Sequence, residues 1–285
     1  MSVGVEPDAW SKFWQEFCPE NERNEACYVP GDGRSALDRQ WAYFANSLPR
    51  GAHVIDIGCG AGIVGRNLLS QRPDLQITGV DCASVPVRSQ AHLTIHTQVN
   101  MEALPFGDCS FDAAVSQFGI EYGNIVDAAP ELERVLKPGA PLCFLIHHRD
   151  SEIVREGSLR RRALEELMRG KVKDAFLEGD AAGIDQLKQP LGKKFPDEPM
   201  VKLVSDYFLR NIGRSPEERQ EVWQKLSDEL DPEIWLLLQL ERSAKSAAEL
   251  DSWLVPLQSA MTSVGTSIVQ RGSGEPIAWS VHGMR

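Results

Sequence analysis

No stretch of the sequence approaches the roughly 20 consecutive apolar residues that a membrane-spanning helix needs, so no such span is expected. There is also no CxxC pair. The six cysteines, Cys18, Cys27, Cys59, Cys82, Cys109 and Cys143, are scattered, which fits a reduced protein without a metal site. Basic residues are in deficit: 30 Lys and Arg against 41 Asp and Glu leave a net charge of −11. That is the wrong sign for a chain whose main partner is a nucleic-acid backbone. Met1 to Trp10 carry acids and no basic-then-apolar signal pattern, so cytoplasmic residence is expected. The rest of the composition, 42% hydrophobic and 25% charged over 285 residues, is that of a globular protein with one large domain or a domain with an insertion.

The sequence is organised around residues 53 to 62, His-Val-Ile-Asp-Ile-Gly-Cys-Gly-Ala-Gly. His53 to Ile57 read as a short buried strand that stops at Gly58, Gly60 and Gly62, and Ile63, Val64, Leu68 and Leu69 then recur at helical spacing. A strand, a glycine turn and a helix start present free backbone N–H groups and a positive dipole end to a ligand. Gly60 to Gly65 also spell GxGxxG, a dinucleotide fingerprint, which keeps a nicotinamide-dependent oxidoreductase as an alternative. Asp56 argues against it, because a carboxylate two residues before the first glycine would repel a pyrophosphate and attract an ammonium. Gln76 to Asp81 read as a second strand, ending about 20 residues later in an acid placed to accept ribose hydroxyls.

Asp56, Gly58, Gly60 and Gly62 match the acid-x-Gly-x-Gly-x-Gly motif, and on these residues the sequence resembles the class I S-adenosylmethionine-dependent methyltransferases, small-molecule type. Two later stretches add to the resemblance. Asn100-Met101-Glu102-Ala103-Leu104-Pro105-Phe106 is similar to the family's adenine loop, with Asn in place of the usual Asp, and Leu136-Lys137-Pro138-Gly139 to the turn before its fifth strand. The resemblance implies S-adenosyl-L-methionine as cofactor, with its methionine end on Gly58, Cys59, Gly60 and Gly62 and its amino group near Asp56. It further implies Asp81 on the ribose, Cys82 against the adenine, and Asn100, Met101 and Glu102 around the adenine edge. The implied fold is α/β: a doubly wound, mostly parallel seven-stranded sheet with an antiparallel C-terminal strand and a helical insertion after the fifth strand.

The remaining strands follow this order. Leu93 to Thr97 read as a third strand, Phe111 to Phe118 as a fourth and Pro141 to Ile146 as a fifth closing on His147 and His148; Thr266 to Arg271 and Pro276 to Val281 read as a terminal hairpin. Ligands of doubly wound sheets sit outside the carboxyl ends of strands. Gln117 and Phe118 are therefore expected beside the cofactor, with Glu121, Tyr122, His147 and His148 as candidate catalytic residues. The two histidines are either general bases or satisfied strand-end residues. Residues 1–148 and 249–285 form the expected methyltransferase domain, with N-terminal helices in 1–50; residues 149–248 form an acceptor-binding helical insertion, with a loop across Pro190 to Pro199.

Trp10, Phe13, Trp14 and Phe17 fall on one helical face, which either packs on the domain or helps enclose an apolar substrate. Trp14, Tyr28, Tyr122 and His147 are the candidate substrate contacts. The expected activity is methyl transfer to a small, partly apolar acceptor, at oxygen or nitrogen rather than carbon. A non-catalytic S-adenosylmethionine-binding regulator is the other alternative, since every motif concerns the cofactor.

Overall fold

The computed structural model of the chain describes residues 7–17, 31–86 and 90–285. The chain divides into two compact units, a sheet-containing unit, 1–152 with 243–285, and a helical unit, 153–242. The sheet-containing unit begins with helices α1, Pro7–Phe17, and α2, Asp32–Ser47. Then come β1, His53–Ile57; α3, Ile63–Gln71; β2, Gln76–Asp81; β3, Leu93–Thr97; and β4, Ala113–Gln117. A 3-10 turn at Ile120–Tyr122 leads to α4, Ile125–Val135, and β5, Pro141–His147.

The sheet runs in the order β3-β2-β1-β4-β5-β7-β6, where β6 is Ser263–Gln270 and β7 is Pro276–Met284. The first five strands pair in parallel, and β7 pairs antiparallel with both β5 and β6. This is the doubly wound, mostly parallel seven-stranded sheet that the resemblance implies. Side chains alternate across its central strands, and both faces are buried. Val54, Ala113, Val115 and Leu145 point into one core with Trp41 and Phe44 of α2 and Leu68 of α3. Ile55, Ile57, Ala114, Phe144 and Ile146 point into the other, with Leu132 of α4 and Leu254 and Leu257 of the helix preceding β6. Order in the sheet reverses at β1, so a crevice opens between the carboxyl ends of β1 and β4.

The helical unit contains α5, Glu152–Arg169; α6, Lys171–Glu178; α7, Ala181–Lys194; α8, Pro199–Asn211; and α9, Pro216–Ser243. Its own core includes Leu164, Leu167, Phe176, Ile184, Phe208 and Ile234, with Phe176 and Phe208 stacked at 4.3 Å. In the Arg160 to Arg162 run, Arg160 pairs with Glu233, Arg161 pairs with Glu165 and Glu241, and Arg162 donates to the Ser158 carbonyl. The last helix, α10, Ala247–Ala260, starts on a capping box in which Ser246 and Glu249 satisfy each other's backbone N–H groups.

Two local expectations are corrected. The fourth strand stops at Gln117, because Phe118 turns out of it at φ 55. The loop expected across Pro190 to Pro199 is helical as far as Lys194, with Pro190 inside α7. Ile184, Leu187 and Leu191 recur at helical spacing and face the unit's core, and this burial outweighs the one backbone bond that proline removes. Because position 190 is exposed, Pro190→Ala should restore that bond without losing packing, raising stability by on the order of 1–3 kcal/mol in urea unfolding. An unchanged midpoint would show that the helix does not need the bond.

Candidate cofactor site

Three turns meet at the carboxyl ends of β1, β2 and β4. Gly58, Gly60 and Gly62 follow β1 with φ of 63, 49 and 83, a region that glycine enters without steric cost. What crowds them is protein. A Cβ on Gly58 would stand 2.8 Å from the α-carbon of Gly119, one on Gly62 would stand 2.7 Å from the Ile95 side chain, and one on Gly60 would run into the Trp14 indole. The three turns are also tied by hydrogen bonds. The Gly60 N–H donates to Asp81 Oδ2 at 2.8 Å, the Cys59 N–H to the Val80 carbonyl at 3.0 Å, and Ser116 Oγ to the Ile57 carbonyl at 2.7 Å.

Beside these turns lies a cavity of about 530 Å³. Its walls include Gly58 of the first turn, Asp81 and Cys82 of the second, and Phe118, Gly119, Tyr122 and Gly123 after β4. Asn100, Met101 and Glu102 of the loop after β3 form a further wall, and Trp10 and Trp14 of α1 another. That loop is held by α4: Arg134 donates to the carbonyls of Leu104 at 2.9 Å and Phe106 at 2.6 Å, while Glu131 accepts the Leu104 N–H at 2.7 Å. Glu102 in turn accepts the Asn124 N–H at 2.8 Å. Helix α1 is fastened at three points. Trp10 packs edge-on against Tyr122 at 5.0 Å, Ser11 accepts the Ser84 N–H at 2.9 Å, and Trp14 stands against Gly60.

The cavity is aromatic and acidic. Asp81, Glu102 and Asp127 line it with Trp10, Trp14, Phe118 and Tyr122, and no Lys, Arg or His does so among the described residues. Such a lining receives cations through carboxylates and ring faces and repels phosphates. Asp81 is nearly buried, and its oxygens accept from Gly60 and from the Ala83 N–H at 2.9 Å; burial nonetheless raises its pKa. Burial also pushes the Cys82 thiol up to about 12, so it serves as an apolar wall and not as a nucleophile.

Of the residues singled out in the sequence, Gly58, Asp81, Cys82, Asn100, Met101, Glu102, Phe118, Tyr122 and Trp14 meet at this cavity. Cys59, Gly60 and Gly62 belong to the turn behind it, and Asp56 to β1. Gln117 instead accepts a 2.7 Å hydrogen bond from the Trp41 indole of α2. His148 stacks on Trp279 at 4.5 Å and accepts the Asp150 N–H, away from the cavity, with burial lowering its pKa. Glu121 and His147 form a buried pair that does not line the cavity. Tyr28 lies outside the described residues. The sequence reading missed Val80, Val99, Gly119, Gly123, Asn124 and Asp127. Of these, Asn124 and Asp127 carried a signal, an Asn-x-x-Asp cap opening α4 just beyond β4.

Residues 55–144 match the family model described as Methyltransferase domain. Among curated proteins, the chain is 34% identical over 126 residues to the ubiquinone/menaquinone biosynthesis C-methyltransferase UbiE of a Geobacter species, covering 38% of this chain and 52% of that one. It is 38% identical over 93 residues to the malonyl-[acyl-carrier protein] O-methyltransferase of Herminiimonas arsenicoxydans, covering 32% and 35%. The chain thus spans about half the length of the UbiE relative or less. A solved S-adenosylmethionine-dependent methyltransferase from Aquifex aeolicus aligns over 89% of each chain at 14% identity and a TM-score of 0.43. One from Methanosarcina mazei aligns over 85% of this chain and 96% of its own at 16% identity and 0.41.

Residues 55–144 of the chain therefore carry a methyltransferase domain. The glycine turn lies within that match, which favours the methyltransferase reading of Gly58 to Gly62 over the dinucleotide reading of Gly60 to Gly65.

Asp56 carries a stability signature. It is fully buried, neither carboxylate oxygen makes a hydrogen bond, and burial, followed by the charge of Asp81, pushes its pKa up to about 8. The folded protein therefore holds a proton at Asp56 that the unfolded chain has lost above about pH 4. The contribution of Asp56 is full below pH 4 and is lost as pH rises toward 8, by at most ~1.4 kcal/mol per unit. Asp56→Asn should flatten the fall in Tm between pH 5 and 8 and be more stable than the parent at pH 8. Parallel pH profiles would show that Asp56 is ionised in the folded protein.

Proposed function

We propose that this protein transfers a methyl group from S-adenosyl-L-methionine to a small, partly apolar acceptor, at oxygen or nitrogen. The observation that carries the reading is the cavity itself: an acid at the end of β2, the Asn100 to Glu102 loop and an aromatic wall converge on a space without basic side chains. That lining fits the cofactor, which bears a sulfonium and an ammonium and has no phosphate. The nine cofactor and substrate residues that meet there keep the roles proposed for them. Asp81 takes the ribose hydroxyls, Cys82 lies against the adenine, and Asn100 and the Met101 N–H read the adenine edge. Asn100 does so without the charge of an aspartate, which lowers its share by about 1 kcal/mol. The ammonium end is assigned to the turn at Gly58 to Gly62, with the Asp56 carboxyl behind it.

The sulfonium supplies an activated methyl group. The protein's part is to align an acceptor with the S–CH₃ bond and keep water out. Among the relatives, the UbiE proteins are named as C-methyltransferases and the malonyl-[acyl-carrier protein] enzymes as O-methyltransferases, so known relatives use both kinds of acceptor atom. Acceptor recognition is assigned to the 153–242 unit, which is inserted between β5 and α10 in chain order. No helix among the described residues is long and apolar enough to cross a membrane. Cys59, Cys82, Cys109 and Cys143 are free thiols, which supports a reducing, cytoplasmic setting.

Purified protein incubated with methyl-labelled S-adenosylmethionine and a metabolite extract should label a small organic product. Tight cofactor binding without any labelled product would favour a regulatory protein. Asp81→Ala should weaken cofactor binding in calorimetry by about 1–3 kcal/mol, since the ribose hydroxyls lose a charged acceptor; unchanged affinity would remove the ribose assignment. Replacing residues 155–240 with a short Gly-Ser linker should leave cofactor affinity within about tenfold and abolish methyl transfer. Full turnover of the native acceptor by that variant would place acceptor recognition in the sheet-containing unit.

A further inference from the structure

One buried pair lies directly behind the cavity wall. Glu121, in the 3-10 turn after β4, and His147, the last residue of β5, are both essentially inaccessible. Glu121 Oε1 receives two hydrogen bonds from the same residue, one from the His147 backbone N–H at 3.0 Å and one from Nδ1 at 2.8 Å. A carboxylate facing Nδ1 fixes the proton on that nitrogen, so the lone pair of the neutral ring is on Nε2. Nε2 has no hydrogen-bond partner, and neither has Glu121 Oε2. Leaving a buried imidazole nitrogen unsatisfied is costly, and folded proteins rarely tolerate it without a reason.

The neighbours of the ring suggest the reason. Phe118, a wall residue of the cavity, stacks on the imidazole with centroids 4.2 Å apart, and Tyr122, another wall residue, meets its edge at 5.9 Å. The imidazole is thus one aromatic ring from the cavity. Phe118 sits at φ 55, a conformation uncommon for a bulky residue and one that gathers at functional sites. A further charge facing the pair is Lys245, whose backbone N–H donates to the His147 carbonyl at 2.9 Å. Its ammonium is occupied by the Ser243 carbonyl, and Glu249 and Arg149 stand beyond it. A carboxylate that orients an imidazole and leaves its far nitrogen free is the arrangement of a general base.

We propose that Glu121 and His147 act as one proton-accepting unit, reached when the wall formed by Phe118 and Tyr122 opens, and that the acceptor therefore bears an ionisable proton on the atom to be methylated. This rests on the methyltransferase reading and narrows it to acceptors such as phenols, hydroquinones or azole N–H groups. Carboxylates and tertiary amines, which are nucleophilic without a base, are excluded. In the step, the acceptor's proton passes to His147 Nε2. The electron pair it leaves behind forms the bond to the methyl carbon, and the C–S pair returns to sulfur to give a neutral thioether. His147 becomes an imidazolium paired with Glu121 and later releases the proton to solvent. His147 is the catalytic residue and Glu121 its positioning residue.

The test uses the full chain and two variants. His147→Asn keeps a side-chain N–H for Glu121 and removes the base; Glu121→Gln removes the charge that orients the ring. Calorimetry with S-adenosylmethionine comes first: loss of binding by the parent protein would defeat the methyltransferase reading itself, whereas the base is tested only on proteins that bind. Imidazole ¹⁵N NMR of the parent should show His147 at neutral pH protonated on Nδ1 and bare on Nε2; a proton on Nε2 would overturn the proposal.

Methyl transfer is then measured to phenols, hydroquinones and imidazoles, with aliphatic carboxylic acids and tertiary amines alongside. The parent should label proton-bearing probes alone. His147→Asn should bind cofactor within about threefold, lose at least 100-fold in kcat and lose the acid limb of the kcat–pH profile. Glu121→Gln should lose about tenfold in kcat with that limb displaced. Full-rate transfer by His147→Asn, transfer confined to the acids and tertiary amines, or transfer to no proton-bearing probe would each overturn the assignment.

Discussion

The site depends on the approach of two backbone turns. Gly58 and Gly119 lie so close that a Cβ on either would stand within 3 Å of the other's backbone, and this approach brings the ends of β1 and β4 together. Ser116 Oγ reinforces it by donating to the Ile57 carbonyl and accepting the Ile120 N–H at 3.0 Å. The third turn is attached through Asp81, which accepts the Gly60 N–H. Side chains could not replace these interactions, because the available space is filled by main chain. The cavity, the position of Phe118 and the 3-10 turn carrying Glu121 and Tyr122 all follow from that spacing. Preorganisation of this kind lets a ligand be oriented without the protein reordering itself at each turnover.

Polar groups around the site divide by burial. Asp81, Glu102 and Asp127 face the cavity, where a cationic ligand can offset their mutual repulsion. Asp56, Glu121 and His147 lie behind it and keep polar atoms without partners. Their cost is carried by two well-packed apolar faces, which cover the sheet from Val54 to Leu145 on one side and from Ile55 to Ile146 on the other. Structural integrity and chemical readiness are thereby assigned to different layers of one unit.

The strands and most of the cavity-lining residues were legible because local signals mark them. An apolar run ending in a glycine cluster locates β1, an acid about 20 residues later locates the end of β2, and Leu-Lys-Pro-Gly stops α4 ahead of β5. The glycines themselves were read correctly for their turn and only partly for their cause: Gly58 is crowded by Gly119 and Gly60 by Trp14, residues far apart in sequence. The Glu121–His147 pair was not legible as a pair, since it depends on β4 and β5 running side by side with Gln117 opposite Leu145. Gln117 looked like a cofactor ligand because of where its strand ends, but the Trp41 indole claims its carbonyl. Pro190 misled because a local breaker was weighed without the Ile184, Leu187 and Leu191 face that holds α7 together.

The central claim is that the cofactor occupies the crevice at the ends of β1, β2 and β4. Ultraviolet cross-linking of methyl-labelled S-adenosylmethionine to the full chain, followed by peptide mapping, addresses it directly. Label is expected on peptides carrying Trp10 and Trp14, Asp81 and Cys82, Asn100 to Glu102, or Phe118 to Tyr122, with excess unlabelled cofactor suppressing it. Label confined to residues 153–242 and equally suppressible would contradict that claim.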